Sequence, residues 1–586
     1  MKIIVAQAAG FCMGVKMAVD RALELSNDKA AAWTLGPLIH NKQTIDILRQ
    51  RGVNELDEND PPPPPAALLV RAHGVPPEVM ERYKSAGYNV IDGTCPKVKT
   101  VHKVIERYCG LGYRIIIAGD EGHAEVIGLL GYAGKSGQLV RTLADVDALP
   151  PFDKICLVSQ TTFDRTLFDA IAERVKEKFA GSEVVVKKTI CSATEQRQEE
   201  TRRLAGAVEA LIVVGGKNSA NTQRLVKIAQ ERGVHTQAIE TEGEIDWEPL
   251  AKCKAIGVTA GASTPNWMIK RVCDHLQFLS QTKEQTATSR FMRLLDAMAN
   301  LNLFVSTGAA AAYYVSCVLQ GIPFSRAGGA IALLYFVSVY LWNSLTGLEN
   351  TLHLDISKYR FYHKYPKRLF FISGACILAL LATAWAINRP TLYLMLFASL
   401  AGLAYHITVV PGGLKKLLPY KSLKDIPTSR DLFVALAWAT ILTFLPQTIS
   451  GAFALNAATL AVFAVIFVLS FMRSLIFDLR DIEGDRIMGR ETLITIIGEN
   501  RARRAITVMI WTCVLLLVAS PAVLGVYEYA ETMRFLFQAP ALIYTAVFVR
   551  LNAGIRSNHS VLFCLLADGL FYIAALGTFL STMIIK

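Results

Sequence analysis

Three cysteines have the right setting for metal chemistry, because each stands where a strand-like run gives way to a helix-like one. KIIVAQ leads to Cys12 and then VKMAVDRALELS; YNVIDGT leads to Cys95 and then KVKTVHKVIERY; EVVVKKTI leads to Cys191 and then ATEQRQEETRRLA. A thiol at a helix N-terminus feels the positive end of the helix dipole, which favours the metal-binding thiolate. Three thiolates from three separate units would suit three irons of a [4Fe–4S] cluster and leave the fourth open for substrate. Zinc suits them less, since structural zinc sites draw on local CxxC or HxxxH pairs. Unrelated buried thiols remain the bland alternative. Cys109, Cys156, Cys253 and Cys273 lie inside helical or strand runs and are expected to be of that kind.

Other strand ends carry neutral donors. PLIHN holds His40, VRAHG holds His73, and GDEGHAEV holds His123 and Glu125. VSQTT holds Thr161 and Thr162, GGKNSANT holds Ser219 and Asn221, and TAGAST holds Ser263. Each histidine alone is an ordinary structural residue; together, beside Gly, Pro or Asn, they describe a polar pocket. Such donors, with backbone N–H groups at helix starts, suit a diphosphate. No GxGxxG fingerprint follows a strand, so reducing equivalents are expected from an external carrier.

These residues need a scaffold, and repeated strand–loop–helix units supply one over residues 1–281. The repetition implies three similar α/β lobes, each offering one cysteine at the mouth of its sheet, where ligands of open α/β sheets gather. The chain of 586 residues is too long for one ordinary domain. Residues 282–296, TKEQTATSRFMRLLD, read as a polar linker into an amphipathic segment, and 297–586 as an all-α membrane domain. Apolar runs of about 20 residues, the length that crosses a bilayer, begin near Leu301, Gly328, Arg368, Thr391, Leu432, Ala454, Ala505, Met533 and Val561. That makes about nine spans.

Lys and Arg collect in the segments 348–368, 412–430 and 478–504, while the intervening connections hold almost none. Alternate basic loops place those segments and the N-terminal half in the cytoplasm, at the inner membrane, with the C-terminus outside. The net charge of +12 is thus largely a topology signal and gives no reason to invoke nucleic acid. MKIIVAQAAG lacks the basic region and apolar length of a secretory signal. Eleven cysteines without paired spacing fit a reduced compartment better than a disulfide framework.

One basic loop also carries chemistry. DLRDIEGDRIMGRETL begins at Asp478 and sets Asp481 and Asp485 on one face of a helix end. Carboxylates so spaced can hold Mg²⁺ against a diphosphate, with Arg480, Arg486 and Arg490 near its oxygens.

Two resemblances follow. AGFCMGV, LGPLIHN, RAHGV, DGTCP, GHAEV, SQTT, CSATEQRQE, GGKNSAN and TAGAST resemble, in order over about residues 1–280, the 4-hydroxy-3-methylbut-2-enyl diphosphate reductase (IspH/LytB) family. The resemblance implies a three-lobed α/β domain around a [4Fe–4S] cluster and the last step of the methylerythritol phosphate route to isoprenoid precursors. It implies Cys12, Cys95 and Cys191 as cluster ligands and His40, His73, His123, Ser219, Asn221 and Ser263 as the diphosphate pocket. It further implies Glu125 as the proton-delivering carboxyl with Thr161 beside it, and an electron donor of ferredoxin or flavodoxin type. Ala220, where some relatives have a second serine, and the Pro run at 61–65 depart from the pattern without touching the chemistry.

DLRDIEGDR resembles the second Asp-rich motif of the UbiA-like intramembrane prenyltransferases, over about residues 290–586. The first motif of that family would fall on NSLTGLENTLHLD, where Asn343 matches but Gly347 and Thr351 replace aspartates, leaving Glu349 and Asp355 as imperfect substitutes. The resemblance implies a Mg²⁺–diphosphate site at Asn343, Asp478, Asp481 and Asp485, among membrane lipid. With half of the clamp weakened, a membrane anchor or a prenyl-diphosphate binding module is the alternative to transfer.

Overall fold

The computed structural model describes residues 1–27, 32–39, 41–56, 61, 64–283, 287–348, 356–404, 429–487, 492–523, 529–551 and 560–585. The chain divides into two compact units, Met1–Cys273 and Asp274–Lys586.

Twelve strands build the first unit: β1 (Lys2–Val5), β2 (Ala32–Leu35), β3 (Val53–Glu55), β4 (Ala67–Val70), β5 (Asn89–Asp92), β6 (Arg114–Ala118), β7 (Gly137–Val140), β8 (Lys154–Ser159), β9 (Glu183–Val186), β10 (Ala210–Val214), β11 (His235–Ile239) and β12 (Ala255–Ala260). They form three four-stranded sheets with orders β1-β12-β10-β11, β3-β2-β4-β5 and β7-β6-β8-β9. Every pairing is parallel. Parallel pairing requires helical crossovers that cover the sheet faces, so the inner strands β4, β6 and β10 read as near-continuous apolar runs. In the third sheet Ile115 and Ile117 pack with Val101, Ile105 and Leu129 on one face. Ile116 and Ala118 pack with Phe168, Ile171 and Val175 on the other.

Read from the edge inward, the three sheets repeat one plan. Cys12, Cys95 and Cys191 follow the edge strands β1, β5 and β9. Ser263, His73 and Thr161 follow the next strands inward, β12, β4 and β8, while Ser219 and His123 follow β10 and β6. Because the pairing is parallel, all of these residues leave their sheets at the same end. Gly93, between β5 and Cys95, has no room for a side chain: a Cβ there would stand 2.4 Å from the Val70 carbonyl oxygen.

One expectation changes. Cys156 and Cys273 are buried as anticipated, but Cys109 and Cys253 are partly exposed. The first lies in the last turn of helix Pro96–Gly110 and the second in the turn before β12. The linker is largely helical, since helices Asn266–Lys283 and Ala287–Asn300 cover most of it.

The second unit is helical. Six of its described helices are long and apolar enough to span a bilayer, or seven if the bent pair Arg290–Asn300 and Leu303–Leu319 counts as one. Nine spans were expected; at the two remaining places lie the helices Arg389–Ala404, the shorter, and Glu499–Val523.

Gly93→Ala is expected to destabilise the first unit by about 2 kcal/mol, since the new methyl meets backbone that cannot yield cheaply. Urea unfolding followed by circular dichroism checks this, and an unchanged midpoint would refute the contact.

Candidate active site

Each cysteine is held by the same device. The Cys12 N–H donates to the Ala262 carbonyl at 3.1 Å, that of Cys95 to Ala72 at 3.0 Å, and that of Cys191 to Thr161 at 2.9 Å. The acceptors lie in the loops after β12, β4 and β8, the same loops that carry Ser263, His73 and Thr161. Each thiol is therefore tied to the loop that supplies its lobe's next polar group. Cys95 and Cys191 are the N-cap residues of helices Pro96–Gly110 and Ser192–Ala205, and Cys12 immediately precedes helix Met13–Asn27.

The three thiols are neighbours across lobes. A Cβ on Gly14 would stand 2.4 Å from Cys95 Sγ, so only glycine lets the helix after Cys12 approach that closely. Burial pushes the Cys95 thiol above its usual range; N–H groups of Lys97 and Val98 oppose this, and Cys12 and Cys191 add to the rise. Three thiols this close to one another invite a cation, and none of the three is fully buried. Among the described residues, no three of His, Cys, Asp or Glu gather tightly enough to hold a single metal ion. A cluster taking one thiolate per iron does not require them to, so half-open thiols on three lobes fit a cluster better than a lone ion.

Beside them sits a buried carboxyl. Glu125, only 1% exposed, accepts the Thr161 N–H at 2.6 Å on one oxygen and the Thr161 hydroxyl at 2.8 Å on the other. Burial pushes its pKa up to about 7, and the two bonds from Thr161 only partly offset that. His123 Nδ1 accepts the Glu125 N–H at 3.1 Å, which leaves Nε2 as the protonated donor of the neutral ring. The His73 and His123 rings, from two different lobes, meet edge to face at 5.4 Å.

Ser219 caps its helix by accepting the Thr222 N–H at 3.4 Å, so its own proton remains available. Asn221 is 6% exposed, and among the described residues neither atom of its amide has a hydrogen-bond partner. A buried amide in that condition is what a ligand would satisfy. Ser263 lies half-buried in the loop after β12. His40 lies outside the described residues.

Some contributors have no signature in spacing. Arg197 donates to the Gly10 carbonyl at 2.7 Å, bracing the loop before Cys12 from the helix after Cys191. Arg224 reaches Asp120 at 3.0 and 3.1 Å, joining the first and third lobes.

In the second unit, Asp478, Asp481 and Asp485 share helix Ala457–Ile487, and Asn343 lies on Arg326–Thr346. Asp478 and Asp485, two turns apart, are both buried. Asp481 is gripped by its neighbour Arg480 through two bonds of 2.9 Å. The Asn343 Oδ1 is buried without a hydrogen-bond partner among the described residues. The side chains of Arg486 and Arg490, and the positions Glu349, Thr351 and Asp355, lie outside the described residues. A buried ion pair went unread in the sequence: Arg473 donates to Asp568 at 2.5 Å, with Tyr340 and Phe477 rings under its guanidinium. Each is a single charge inside a long apolar run, the kind of intramembrane group that is retained for function.

Fold and site together define a three-lobed α/β unit with one thiol per lobe, joined to a polytopic membrane domain. Residues 3–277 match the LytB protein family model and 364–576 the UbiA prenyltransferase family model. A 4-hydroxy-3-methylbut-2-enyl diphosphate reductase of Clostridioides difficile is 42% identical over 283 residues, 48% of this chain and 100% of the relative. The solved reductase structure from Plasmodium falciparum is 30% identical, with a TM-score of 0.45, over 47% of this chain and 87% of that one. A UbiA homolog from Archaeoglobus fulgidus, solved with GPP and Mg²⁺, is 19% identical with a TM-score of 0.37, over 50% of this chain and 99% of that one. The chain belongs to the 4-hydroxy-3-methylbut-2-enyl diphosphate reductase (LytB) family, carries a UbiA-type domain after it, and is a multi-pass membrane protein.

The raised Glu125 pKa makes stability depend on pH. Its folded value of about 7 lies above the ordinary 4.5, so the native state holds the proton more tightly than the unfolded one. The native state is then favoured most below about 4.5 and loses roughly 3 kcal/mol as pH rises through 7. Glu125→Gln should remove that slope. Thermal melts of the metal-free protein between pH 5 and 8 check this, and parallel curves for wild type and variant would contradict the assignment.

Proposed function

We propose that the N-terminal unit reduces 4-hydroxy-3-methylbut-2-enyl diphosphate to isopentenyl and dimethylallyl diphosphate through a [4Fe–4S] cluster held by Cys12, Cys95 and Cys191. The observation that carries this reading is the placement of three thiols, one per lobe, at the same sheet ends as a buried, protonatable carboxyl. The cluster, when bound, supplies electrons one at a time and a Lewis-acidic iron for the departing oxygen. The protein residues do the rest. His40, His73, His123, Ser219, Asn221 and Ser263 hold the diphosphate with neutral donors, so the pocket neutralises no charge that the product must break on leaving. Glu125, whose pKa burial raises to about 7 so that about half of it is protonated at neutral pH, passes its proton through the Thr161 hydroxyl toward the leaving hydroxyl, which departs as water. Replacing C–OH by C–H consumes two electrons and two protons, the electrons coming from an external carrier of ferredoxin or flavodoxin type.

The second unit is read as a prenyltransferase-like domain within membrane lipid. Asn343, Asp478, Asp481 and Asp485 would hold Mg²⁺ against a prenyl diphosphate. The acids missing at Gly347 and Thr351 favour a second reading, a membrane anchor or diphosphate-binding module without transfer. The basic loops support a reading in which the N-terminal unit lies in the cytoplasm, at the inner membrane.

Anaerobically purified protein should be brown and should reduce the hydroxylated diphosphate with an artificial donor; a colourless protein with stoichiometric zinc would refute the cluster. Glu125→Gln should keep the colour and lose turnover by about a hundredfold, the usual reach of a general acid. Wild-type turnover should fall as pH rises through about 7, where Glu125 loses its proton; a variant with near-normal turnover would remove Glu125 from the mechanism. For the second unit, prenyl transfer by membranes should disappear in Asp481→Ala, and equal inactivity of wild type and variant would favour the anchor.

A further inference from the structure

Electrons have to reach the three thiols from outside, and the surface around two of them has a particular make-up. The helices that begin after Cys12 and Cys95 carry no acid in their first turns. Met13 and Met17 stand out from the first of them, 58% and 48% exposed, though both are large apolar side chains. Lys16 lies between them, half-buried, and Lys97 stands exposed on the first turn of the second helix. The close approach of Gly14 to Cys95 Sγ brings these two helix ends side by side.

The charges around this face do not cancel. Lys16 and Lys97 have no ion pair among the described residues, whereas Lys99 is paired to Asp92 at 2.6 Å and Lys188 to Asp169 at 3.5 Å. The one acid in the first turn of the third helix, Glu195, is neutralised by Arg165. Two unpaired lysines, three helix N-termini and a pair of exposed methionines therefore frame the thiols. Exposed methionine adapts to varied partners, and basic patches steer acidic ones.

We infer that this face, centred on Met13, Lys16, Met17 and Lys97, is the docking surface for an acidic one-electron carrier protein. The inference rests on the reductase reading, which requires two single-electron deliveries from outside. A partner with a negative rim would meet Lys16 and Lys97, and its apolar centre would cover the methionines. Its redox centre would then face the cysteines, which are themselves partly exposed.

The test uses the full chain, loaded with its cluster and held in detergent, and compares wild type with the triple variant Lys16→Glu, Met17→Ser, Lys97→Glu. Binding of a negatively charged bacterial ferredoxin is measured by calorimetry at several salt concentrations, and turnover is measured with that ferredoxin and separately with reduced methyl viologen. The expected result is a ferredoxin affinity weakened by about tenfold or more, a shallower salt dependence, and unchanged turnover with viologen. Unchanged ferredoxin binding would overturn the docking surface. So would loss of the viologen rate, which would put these residues in the catalytic core, or a changed oligomeric state with ferredoxin binding intact, which would make a second copy the occupant. Absence of wild-type turnover with viologen would refute the reductase reading itself.

Discussion

Everything in the first unit depends on parallel pairing with one direction of exit. Once each sheet is parallel, every strand must deliver its following loop to the same end, and the helices between strands must cover both faces. The edge strand then brings a cysteine, the next strand a polar donor, and in the first and third sheets the third strand brings another, Ser219 and His123. Hydrogen bonds from the cysteine N–H groups to Ala262, Ala72 and Thr161 lock this order, because they fix each thiol against the loop of the adjacent strand. The three thiols and the neighbouring polar groups are thus one structure rather than two placed together.

The same geometry accounts for the electrostatics. The strand ends leave Glu125 almost without exposure, with Thr161 binding both of its carboxyl oxygens. Such burial favours the neutral acid, and that is the form a proton donor needs at neutral pH. The helix starts that crowd the site supply the opposite polarity, a set of N–H groups suited to an anionic substrate. Acid and anion site therefore coexist a few residues apart without cancelling, since one is kept neutral by burial and the other is built from backbone and neutral side chains.

Much of this was legible before any coordinates. The change from strand pattern to helix pattern at Cys12, Cys95 and Cys191 marked the ends of three strands, and the pairing puts all three at sheet edges. The positions of His73, His123, Thr161, Ser219 and Ser263 followed from the same rule. What was not legible depends on contacts between distant segments: the Arg224–Asp120 and Arg197–Gly10 ties join lobes and leave no periodicity. Nothing in the spacing marks Gly14, although a Cβ there would stand 2.4 Å from Cys95 Sγ. In the second unit, reading charges mainly from the loops passed over Arg473 and Asp568, because a single charge hardly disturbs a long apolar run. The linker, read as a polar stretch leading into an amphipathic segment, is mostly helix, a state that its Arg, Met and Leu residues favour.

The central claim is that three cysteines on three lobes hold one cluster and leave one iron without a protein thiolate. Mössbauer spectroscopy of the anaerobic, iron-57-enriched protein tests it directly. The account predicts one iron site distinct from the other three, changing on addition of the hydroxylated diphosphate while the three stay as they were. Four equivalent sites, insensitive to that compound, would contradict it.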